Sequence, residues 1–250
     1  MGKVITFINE NGGIGKTSLI FNTAWELSKK SKVLMIDLDG QKGNLTFFAG
    51  VKTDDDTLTM IDFLERGKNI KDGVIEIKKN LCLVPANNNV TAISQKAKMG
   101  TMKKIMREMR DYFDYIFIDV NPNPDWRHFL ALTSADYCLI PMRPDPKALE
   151  GTNGIIESIV EAQEYNEDLK ILGMVMNLYD SRTALGKGVI EATSARASKL
   201  GGKVFKTRIR QCISLSENVQ AHQGVTDYAP KSIAAEDIKN FAKEFKKEAV

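Results

Sequence analysis

Short apolar runs alternate along the chain with longer stretches in which apolar residues recur every three or four positions. Most of the runs lack a polar–apolar alternation, which is typical of strands covered on both faces of a sheet. They predict strands at Val4–Ile8, Val33–Leu38, Leu81–Val84, Tyr115–Val120, Tyr137–Pro141, Ile171–Leu178 and Val204–Ile209. The longer stretches predict helices at Lys16–Lys30, Leu58–Glu65, Thr101–Phe113, Trp126–Thr133, Ala148–Gln163, Leu185–Leu200 and Ile233–Lys247. This order predicts an α/β fold with a doubly wound, mainly parallel sheet flanked by helices.

No repeat, low-complexity tract or linker interrupts the pattern, so we expect one domain over residues 1–250. The composition, 43% hydrophobic and 27% charged, is typical of a globular protein. The sequence predicts neither a transmembrane helix nor a secretory signal. Its three cysteines form no C-x-x-C motif, which favours a reducing cytoplasm over a disulfide scaffold. A net charge of +3 neither requires nor excludes nucleic acid.

A glycine-rich segment, residues 9–18, lies between the first predicted strand and the first predicted helix. Glycines let backbone N–H groups turn toward an anion, and the following helix N-terminus adds its dipole. Lys16 would supply a charge to the β- and γ-phosphates, and the Thr17 hydroxyl is a magnesium ligand by type. The chain departs from the common phosphate-loop pattern at Glu10, where that pattern has glycine. The order of strand, loop and helix nevertheless predicts a phosphate-binding loop.

Carboxylates follow two of the predicted strands. Asp37 and Asp39 are two residues apart and would share a face at the end of the second strand. Asp119 ends an apolar strand, the Walker-B position whose acid orients the magnesium shell. Because ligands bind at the carboxyl ends of the strands of such sheets, we expect these acids beside the phosphates. A solvated acidic turn is the alternative for Asp37 and Asp39.

The ordered motifs resemble the ParA/Soj/MinD group of ATPases with a deviant Walker motif, a P-loop NTPase fold, and most closely its ParA/Soj branch. Gly12 to Ser18 resemble the group's phosphate loop. The second motif of the group, D-x-D-x-Q-G-N, is similar to residues 37–44 with Lys42 inserted. Residues 148–151, 179–186, 204–207 and 215–217 resemble later family segments, so the likeness extends over nearly the whole chain.

The resemblance implies a role for each matched residue. ATP would be bound by Asn11, Gly12, Gly13, Ile14, Gly15, Lys16, Thr17, Ser18, Asn177 and Arg210. The catalytic residues would be Lys16 and Asp39. Asp39 would position or activate the water. Mg²⁺ would be held by Thr17, Asp37 and Asp119. The Asn177 amide would read adenine, for which it has one donor and one acceptor group; a strand-end turn cap is the alternative.

One position departs from the family. The lysine that precedes the two glycines, and reaches across a nucleotide-sandwich dimer to the partner's phosphates, is Asn11 in this chain. An amide carries no charge to the transferring phosphate, and a cation acting in trans can raise such rates by several powers of ten. We therefore expect ATPase activity, implied by the resemblance, to be weak.

Basic residues raise the question of DNA. Arg182 matches an arginine with which family members bind nucleoid DNA without sequence preference, whereas a second such arginine aligns with Ser214. Lys206, Arg208 and Arg210 alternate along the last predicted strand and would share one face. Phosphate contacts need cations near backbone spacing, so these four cations are the predicted DNA-binding residues. A solvated strand edge that resists aggregation is the alternative.

The resemblance implies an ATP-binding protein for plasmid or chromosome partitioning. It would form an ATP-dependent homodimer, bind non-specific DNA at the nucleoid in the cytoplasm, and respond to a centromere-binding, ParB-like protein. One alternative is a hydrolysis-deficient, ATP-dependent regulator or scaffold. Another is a MinD-like, membrane-associated positioning ATPase, because Ile238, Phe241 and Phe245 form an apolar stripe on the last helix. That stripe is narrow, so we expect it to pack against the sheet and expect no membrane partner.

Overall fold

The computed structural model of the chain describes residues 1–144, 152–179, 191, 193–195, 197–198 and 201–249. Its centre is a seven-stranded sheet in the order β3-β4-β2-β5-β1-β6-β7. The strands are β1 Lys3–Phe7, β2 Val33–Asp37, β3 Ile75–Lys78, β4 Leu81–Val84, β5 Tyr115–Asp119, β6 Tyr137–Met142 and β7 Lys170–Met176. All pairs are parallel except β3 with β4. The predicted fold class is confirmed.

Helices cover both faces of this sheet. They are α1 Lys16–Leu27, α2 Leu45–Phe48, α3 Met60–Glu65, α4 Met99–Met109, α5 Trp126–Ser134, α6 Thr152–Gln163, α7 Ser214–Gln220, α8 Val225–Tyr228 and α9 Ile233–Glu248. Short 3₁₀ turns occupy Ile70–Gly73 and Asn88–Ala92. The described residues between 191 and 198 are also helical. None of the described helices is long and apolar enough to cross a membrane.

The continuous apolar character of the strands follows from burial on both sides. In β2, Leu34 and Ile36 face the core layer under α4 and α5, whereas Val33 and Met35 face the layer under α1 and α9. Successive side chains of a strand point to opposite faces, so a strand between two helical layers has no polar side. The sheet is therefore a rigid support for the loops at its carboxyl end.

The apolar stripe of α9 belongs to the second core layer. Ile238, Phe241 and Phe245 have no exposed surface, and the Phe245 ring meets the Phe117 ring of β5 edge-on at 5.4 Å between centroids. The methionine-rich stripe of α4 is buried in the first layer in the same way. The expected packing of the last helix against the sheet is what the structure has.

The segment predicted as a last strand is not a regular strand. Residues 204–210 run beside β7 but form only isolated bridges, Val204 with Met174 of β7 and Arg210 with Tyr179 beyond the end of β7. Between these bridges the Glu244 carboxylate of α9 accepts the N–H groups of Lys206 and Thr207, at 2.7 and 2.9 Å. A side chain thus replaces the neighbouring strand as hydrogen-bond partner, and the chain bends at Lys206. Because this segment is not a regular strand, the expectation that Lys206, Arg208 and Arg210 share one strand face is wrong.

Candidate functional site

The glycine-rich loop leaves β1 and is fixed by two asparagines. Asn9 Nδ2 donates to the Pro141 carbonyl of β6 at 2.7 Å, and Asn9 Oδ1 accepts the Asn11 N–H at 2.7 Å. Asn177, just after β7, donates from Nδ2 to the carbonyls of Ile14 and Gly15 at 2.8 and 3.0 Å. The loop therefore keeps its shape through contacts with the ends of three strands.

Gly15 is the residue at which a side chain cannot be accommodated. Its φ of 79° lies in the left-handed region, and a Cβ there would approach Asn177 Nδ2 to 2.7 Å. Gly15 also caps α1, whose first turn has no side-chain cap. The first N–H groups of α1 have no partner within the helix and point toward the loop, where an anion is the natural partner.

Lys16, Thr17 and Asp119 form the centre of the site. The Lys16 ammonium donates to the Val120 carbonyl and lies 3.9 Å from Asp119 Oδ1. The Thr17 hydroxyl donates to Asp119 Oδ2 at 2.7 Å. Asp119 Oδ1 is buried without a hydrogen-bond partner. A buried carboxylate oxygen without a donor is suited to a cation, and Thr17 offers a second hard oxygen beside it.

Asp37 is the second buried carboxylate. Its Oδ1 accepts the Asp39 N–H at 2.9 Å, and its Oδ2 accepts both the N–H and the hydroxyl of Thr46, at 2.8 and 2.6 Å. The Thr46 hydroxyl also accepts the Ala86 N–H at 2.8 Å, which ties α2 to the end of β4. Asp39 lies beyond the strand, half-buried, and lines the cleft of the loop. The two predicted acids of the second motif thus have different surroundings.

Burial governs the protonation of this site. It raises the pKa of Asp37 to about 8, with the neighbouring Asp119 adding to the rise and Thr46 opposing it. Burial also raises the pKa of Asp119 to about 6, against the opposing effect of Lys16. The pKa of Lys16 is lowered by its own burial, which Asp119 partly offsets. The site is therefore a set of buried charges that a bound cation and a bound anion would each stabilise.

A cleft of about 290 Å³ opens over the loop. It is lined by Asn11, Gly12, Gly13, Ile14, Gly15, Lys16, Thr17, Ser18, Asp39, Gln41, Phe48 and Pro122. Among the described residues no group of three or more His, Cys, Asp or Glu could hold a metal ion unaided. Magnesium keeps waters and commonly binds through one or two protein oxygens plus substrate phosphates, so Thr17 with Asp119 and Asp37 fits it as a phosphate-bound ion.

Asn11 lies at the mouth of this cleft. It lines the cleft, and its side-chain Nδ2 is buried without a hydrogen-bond partner. An amide there offers donors to an anion, without a charge. Because asparagine is uncharged, this position brings no cation to a phosphate, as the sequence predicts.

The predicted basic residues lie apart from this cleft. Lys206 and Arg208 are exposed beside β7. Arg210 is half-buried, and its guanidinium is held by Asp237, at 2.6 Å from Oδ1, and by Glu236, at 3.1 Å. Both roles expected of Arg210 stay predictions, and its charge is compensated within the fold. Arg182 and the family-like residues 148–151 and 180–186 lie outside the described residues.

Two elements of the site escaped the sequence reasoning. Thr46 orients Asp37, and Asp125 with Arg127 begins α5 beside the second motif. Thr46 comes two residues after the matched motif, and Asp125 precedes a predicted helix where a cap residue is expected, so the sequence offered a signal for both. The sequence offered no signal for Arg127, because sequence alone does not distinguish a buried arginine on a helix from an exposed one.

The fold matches that of several solved structures. Apo McdA from Cyanothece superposes with a TM-score of 0.86 at 22% identity, over 100% of both chains. MinD from Pyrococcus horikoshii, a septum site-determining protein complexed with Mg-ADP, superposes with a TM-score of 0.80 at 21% identity, over 100% of this chain and 98% of that one. At these identities the likeness establishes the fold.

Sequence relatives establish the family. The AAA domain family model AAA_31 matches residues 2–171. The sporulation initiation inhibitor protein Soj of Bacillus subtilis is 31% identical over 255 residues, 98% of this chain and 98% of Soj. The chromosome-partitioning ATPase Soj of Treponema pallidum is 29% identical over 253 residues, 98% of this chain and 97% of that protein. The chain belongs to the ParA/Soj family of the ParA/MinD superfamily.

Proposed function

We propose that the chain is an ATP- and magnesium-dependent switch for partitioning a plasmid or chromosome, acting as one domain over residues 1–250. The observation that carries this proposal is the contact of the phosphate loop with the Walker-B acid: Lys16 and Thr17 both meet Asp119. Phosphate and magnesium would replace these internal partners. Bound magnesium would neutralise phosphate charge, and Lys16 would hold the phosphates on the other side.

The switch would act through association. ATP at the cleft would join two copies into a homodimer, and the dimer would bind nucleoid DNA without sequence preference in the cytoplasm. The exposed Lys206 and Arg208, together with Arg182, are the cations proposed for the phosphate backbone. A ParB-like centromere-binding protein would stimulate hydrolysis and release. The relatives named as chromosome-partitioning ATPases support this assignment.

Hydrolysis would be slow. Asp39 lines the cleft and has the right chemistry to position a water, but Asn11 brings an uncharged amide where the family has lysine. The proposed rate is therefore that of a site without a trans-acting cation. A hydrolysis-deficient regulator or scaffold that still binds ATP is the second candidate, and the same residue favours it. The membrane candidate has lost its motivating feature, because the apolar stripe of α9 is buried.

One experiment tests the proposal. Equilibrium binding of Mg-ATP and single-turnover hydrolysis would be measured for the parent, Lys16→Ala and Asn11→Lys. We expect Lys16→Ala to lose most affinity and Asn11→Lys to hydrolyse faster than the parent. Lys42→Ala, which changes a nearby exposed lysine, is the control and should bind as the parent does. Unchanged binding by Lys16→Ala would refute the phosphate-loop assignment, and equal rates for parent and Asn11→Lys would favour a scaffold.

A further inference from the structure

Arg127 is a buried arginine next to the second motif. It lies in the first turn of α5 with 6% of its surface exposed. Its Nε and Nη2 both donate to Asp125 Oδ2, the former at 2.9 Å. Its remaining fork nitrogen, Nη1, donates to the carbonyl of Leu38 at 2.9 Å. A buried guanidinium costs much desolvation energy, so its partners deserve a functional explanation.

Leu38 is the residue between the two acids of the second motif. Its N–H donates to the Asp119 carbonyl at 2.8 Å, and its own carbonyl accepts from Arg127. Both backbone polar groups of Leu38 are therefore held. The peptide that leads from Leu38 into Asp39 is held at its N–H by Asp37 Oδ1 and at its carbonyl by Arg127. The bond from Arg127 is charge-assisted, and such bonds are stronger than neutral ones.

The arginine is itself held in place by the helix cap. Asp125 Oδ1 accepts the Arg127 N–H at 2.8 Å, the usual cap geometry, while Oδ2 holds the guanidinium. Asn121, two residues after the Walker-B acid, donates to the same Oδ2 at 3.3 Å. Burial would raise the pKa of Asp125, but His128 and Arg127 outweigh it and hold that pKa well below its usual range. The carboxylate stays ionised and Arg127 stays anchored.

From these contacts we infer that Arg127 is a positioning residue for Asp39. It sets the direction in which the backbone leaves β2, and so the place of the Asp39 carboxylate over the phosphate loop. Asp37 has independent anchors in Thr46. Asp39 is also bound to its own loop, because Asn44 Nδ2 donates to its carbonyl at 2.6 Å and the Gln41 N–H donates to its Oδ1 at 3.0 Å. Loss of Arg127 would therefore loosen and shift Asp39 together with this loop, while the magnesium-side carboxylate stays in place. This inference rests on the proposed function for its catalytic consequence, but its structural consequence stands alone.

The structural consequence is tested first. Amide hydrogen exchange would be followed by mass spectrometry in the ligand-free parent and in Arg127→Met. We expect peptides covering residues 38–44 to exchange about tenfold faster in the variant, and those covering β1 to stay unchanged. Arg127→Lys keeps one donor and should lie between them. Arg66→Met changes an arginine just after α3 whose side chain is 53% exposed, and it serves as the control.

A second variant separates positioning from an unpaired charge. Asp125→Ser/Arg127→Met removes both charges and keeps a hydroxyl to cap α5. It lacks the donor to Leu38, so residues 38–44 should exchange as fast as in Arg127→Met. Exchange at the parent's rate in both variants would overturn the inference. Recovery of slow exchange in the double variant would overturn it too, because the unpaired carboxylate would then be the cause.

Kinetics test the catalytic consequence. In the Asn11→Lys background, Arg127→Met should lower kcat about tenfold and leave Mg-ATP affinity within about twofold, and Arg127→Lys should recover part of kcat. A parallel loss of affinity, or an unchanged kcat, would contradict the role in positioning Asp39. If no variant binds ATP, the proposed function fails, whereas the exchange result still decides whether Arg127 holds the second motif.

Discussion

At the scale of single residues, the unusual feature is a pair of buried carboxylates at adjacent strand ends. Asp37 of β2 and Asp119 of β5 are register partners, and neither has exposed surface. Burial raises the pKa of both acids, and Asp119 adds to the rise for Asp37, so each acid keeps its proton to higher pH than it would in water. A cation that binds both must displace those protons.

The first consequence concerns magnesium. The pKa of Asp119 is raised to about 6 and that of Asp37 to about 8, so apparent Mg²⁺ affinity of the nucleotide complex should rise between pH 6 and pH 8. One displaced proton gives about a tenfold rise per pH unit. Isothermal titration of Mg²⁺ into the ATP complex at several pH values measures this slope. Asp37→Asn should flatten it above pH 7, roughly midway between the two values, and a pH-independent affinity in the parent would contradict the prediction.

The same protons affect stability with a definite sign. A carboxyl whose folded pKa is raised binds more protons in the native state than in the unfolded state, so the free energy of unfolding falls as pH rises. Without Mg²⁺, the protein should therefore lose stability between pH 4 and pH 8, from the ordinary pKa of an aspartate to the raised pKa of Asp37. Asp37→Asn lacks this titrating group and keeps the others of the parent. It should therefore lose less stability than the parent over the same pH range.

At the scale of elements, α9 contributes more to the core than its lysine-rich sequence indicates. Phe245 packs edge-on against Phe117 and Tyr115, at 5.4 and 5.6 Å between centroids. Truncation of a fully buried phenylalanine to alanine costs about 3–5 kcal/mol, because apolar contacts are lost and a cavity remains.

We therefore expect Phe245→Ala to lower the free energy of unfolding by about that 3–5 kcal/mol. Lys247→Ala, on the exposed side of the same helix, should change it by less than about 0.5 kcal/mol. Urea denaturation followed by circular dichroism measures both. A loss below about 1 kcal/mol for Phe245→Ala would show that α9 docks loosely.

Elements also show what the sequence could and could not predict. The strands β1, β2, β4, β5 and β6 were predicted within one or two residues, because strands buried on both faces are continuously apolar. β3 was missed, since it is a short, half-buried edge strand of mixed polarity. Residues 204–209 were misassigned because their alternation is typical of a strand, while the hydrogen-bond partner that bends them, Glu244, is distant in sequence.

The site divides in a similar way. Lys16, Thr17 and Asp119 were predicted to meet, and the structure brings them together, because their roles follow from strand order and residue type. Asn177 was expected at the nucleotide base and donates to the loop carbonyls in the ligand-free protein; its role toward adenine stays a prediction. Arg127 could not be found from sequence, because its partner Leu38 is an apolar residue that offers a backbone carbonyl.

At the scale of the whole molecule, the proposed DNA surface is displayed beside β7, away from the nucleotide cleft. Lys206 and Arg208 are exposed there, whereas Arg210 forms ion pairs with Asp237 and Glu236. Binding through phosphates releases counterions, so affinity falls with salt by a slope of about 0.9 per contact. A dimer would make twice as many of these contacts as a single protomer.

We therefore predict that Lys206→Ala/Arg208→Ala flattens the log–log salt dependence of DNA affinity by roughly four units per dimer. Fluorescence titrations with ATP at several salt concentrations give the slope. Lys104→Ala/Arg107→Ala removes two exposed cations of α4, on the opposite face of the sheet, and should keep the parent's slope. Equal slopes for parent and Lys206→Ala/Arg208→Ala would mean that these residues are ordinary surface charges.

The two borders of the sheet have a consequence for how copies of this chain can meet. Beside β7, the Met174 N–H donates to the Lys203 carbonyl at 2.7 Å, and the Phe205 N–H donates to the Met174 carbonyl at 2.8 Å. On the other border, β3 is four residues long, antiparallel, interrupted in register after Glu76 and rich in charge. Within the described residues, both borders therefore disfavour pairing with a foreign strand and fibre-like stacking of copies. The proposed homodimer would therefore form through side chains, whose positions a bound ligand can change, and not by continuing the sheet from one copy to the next.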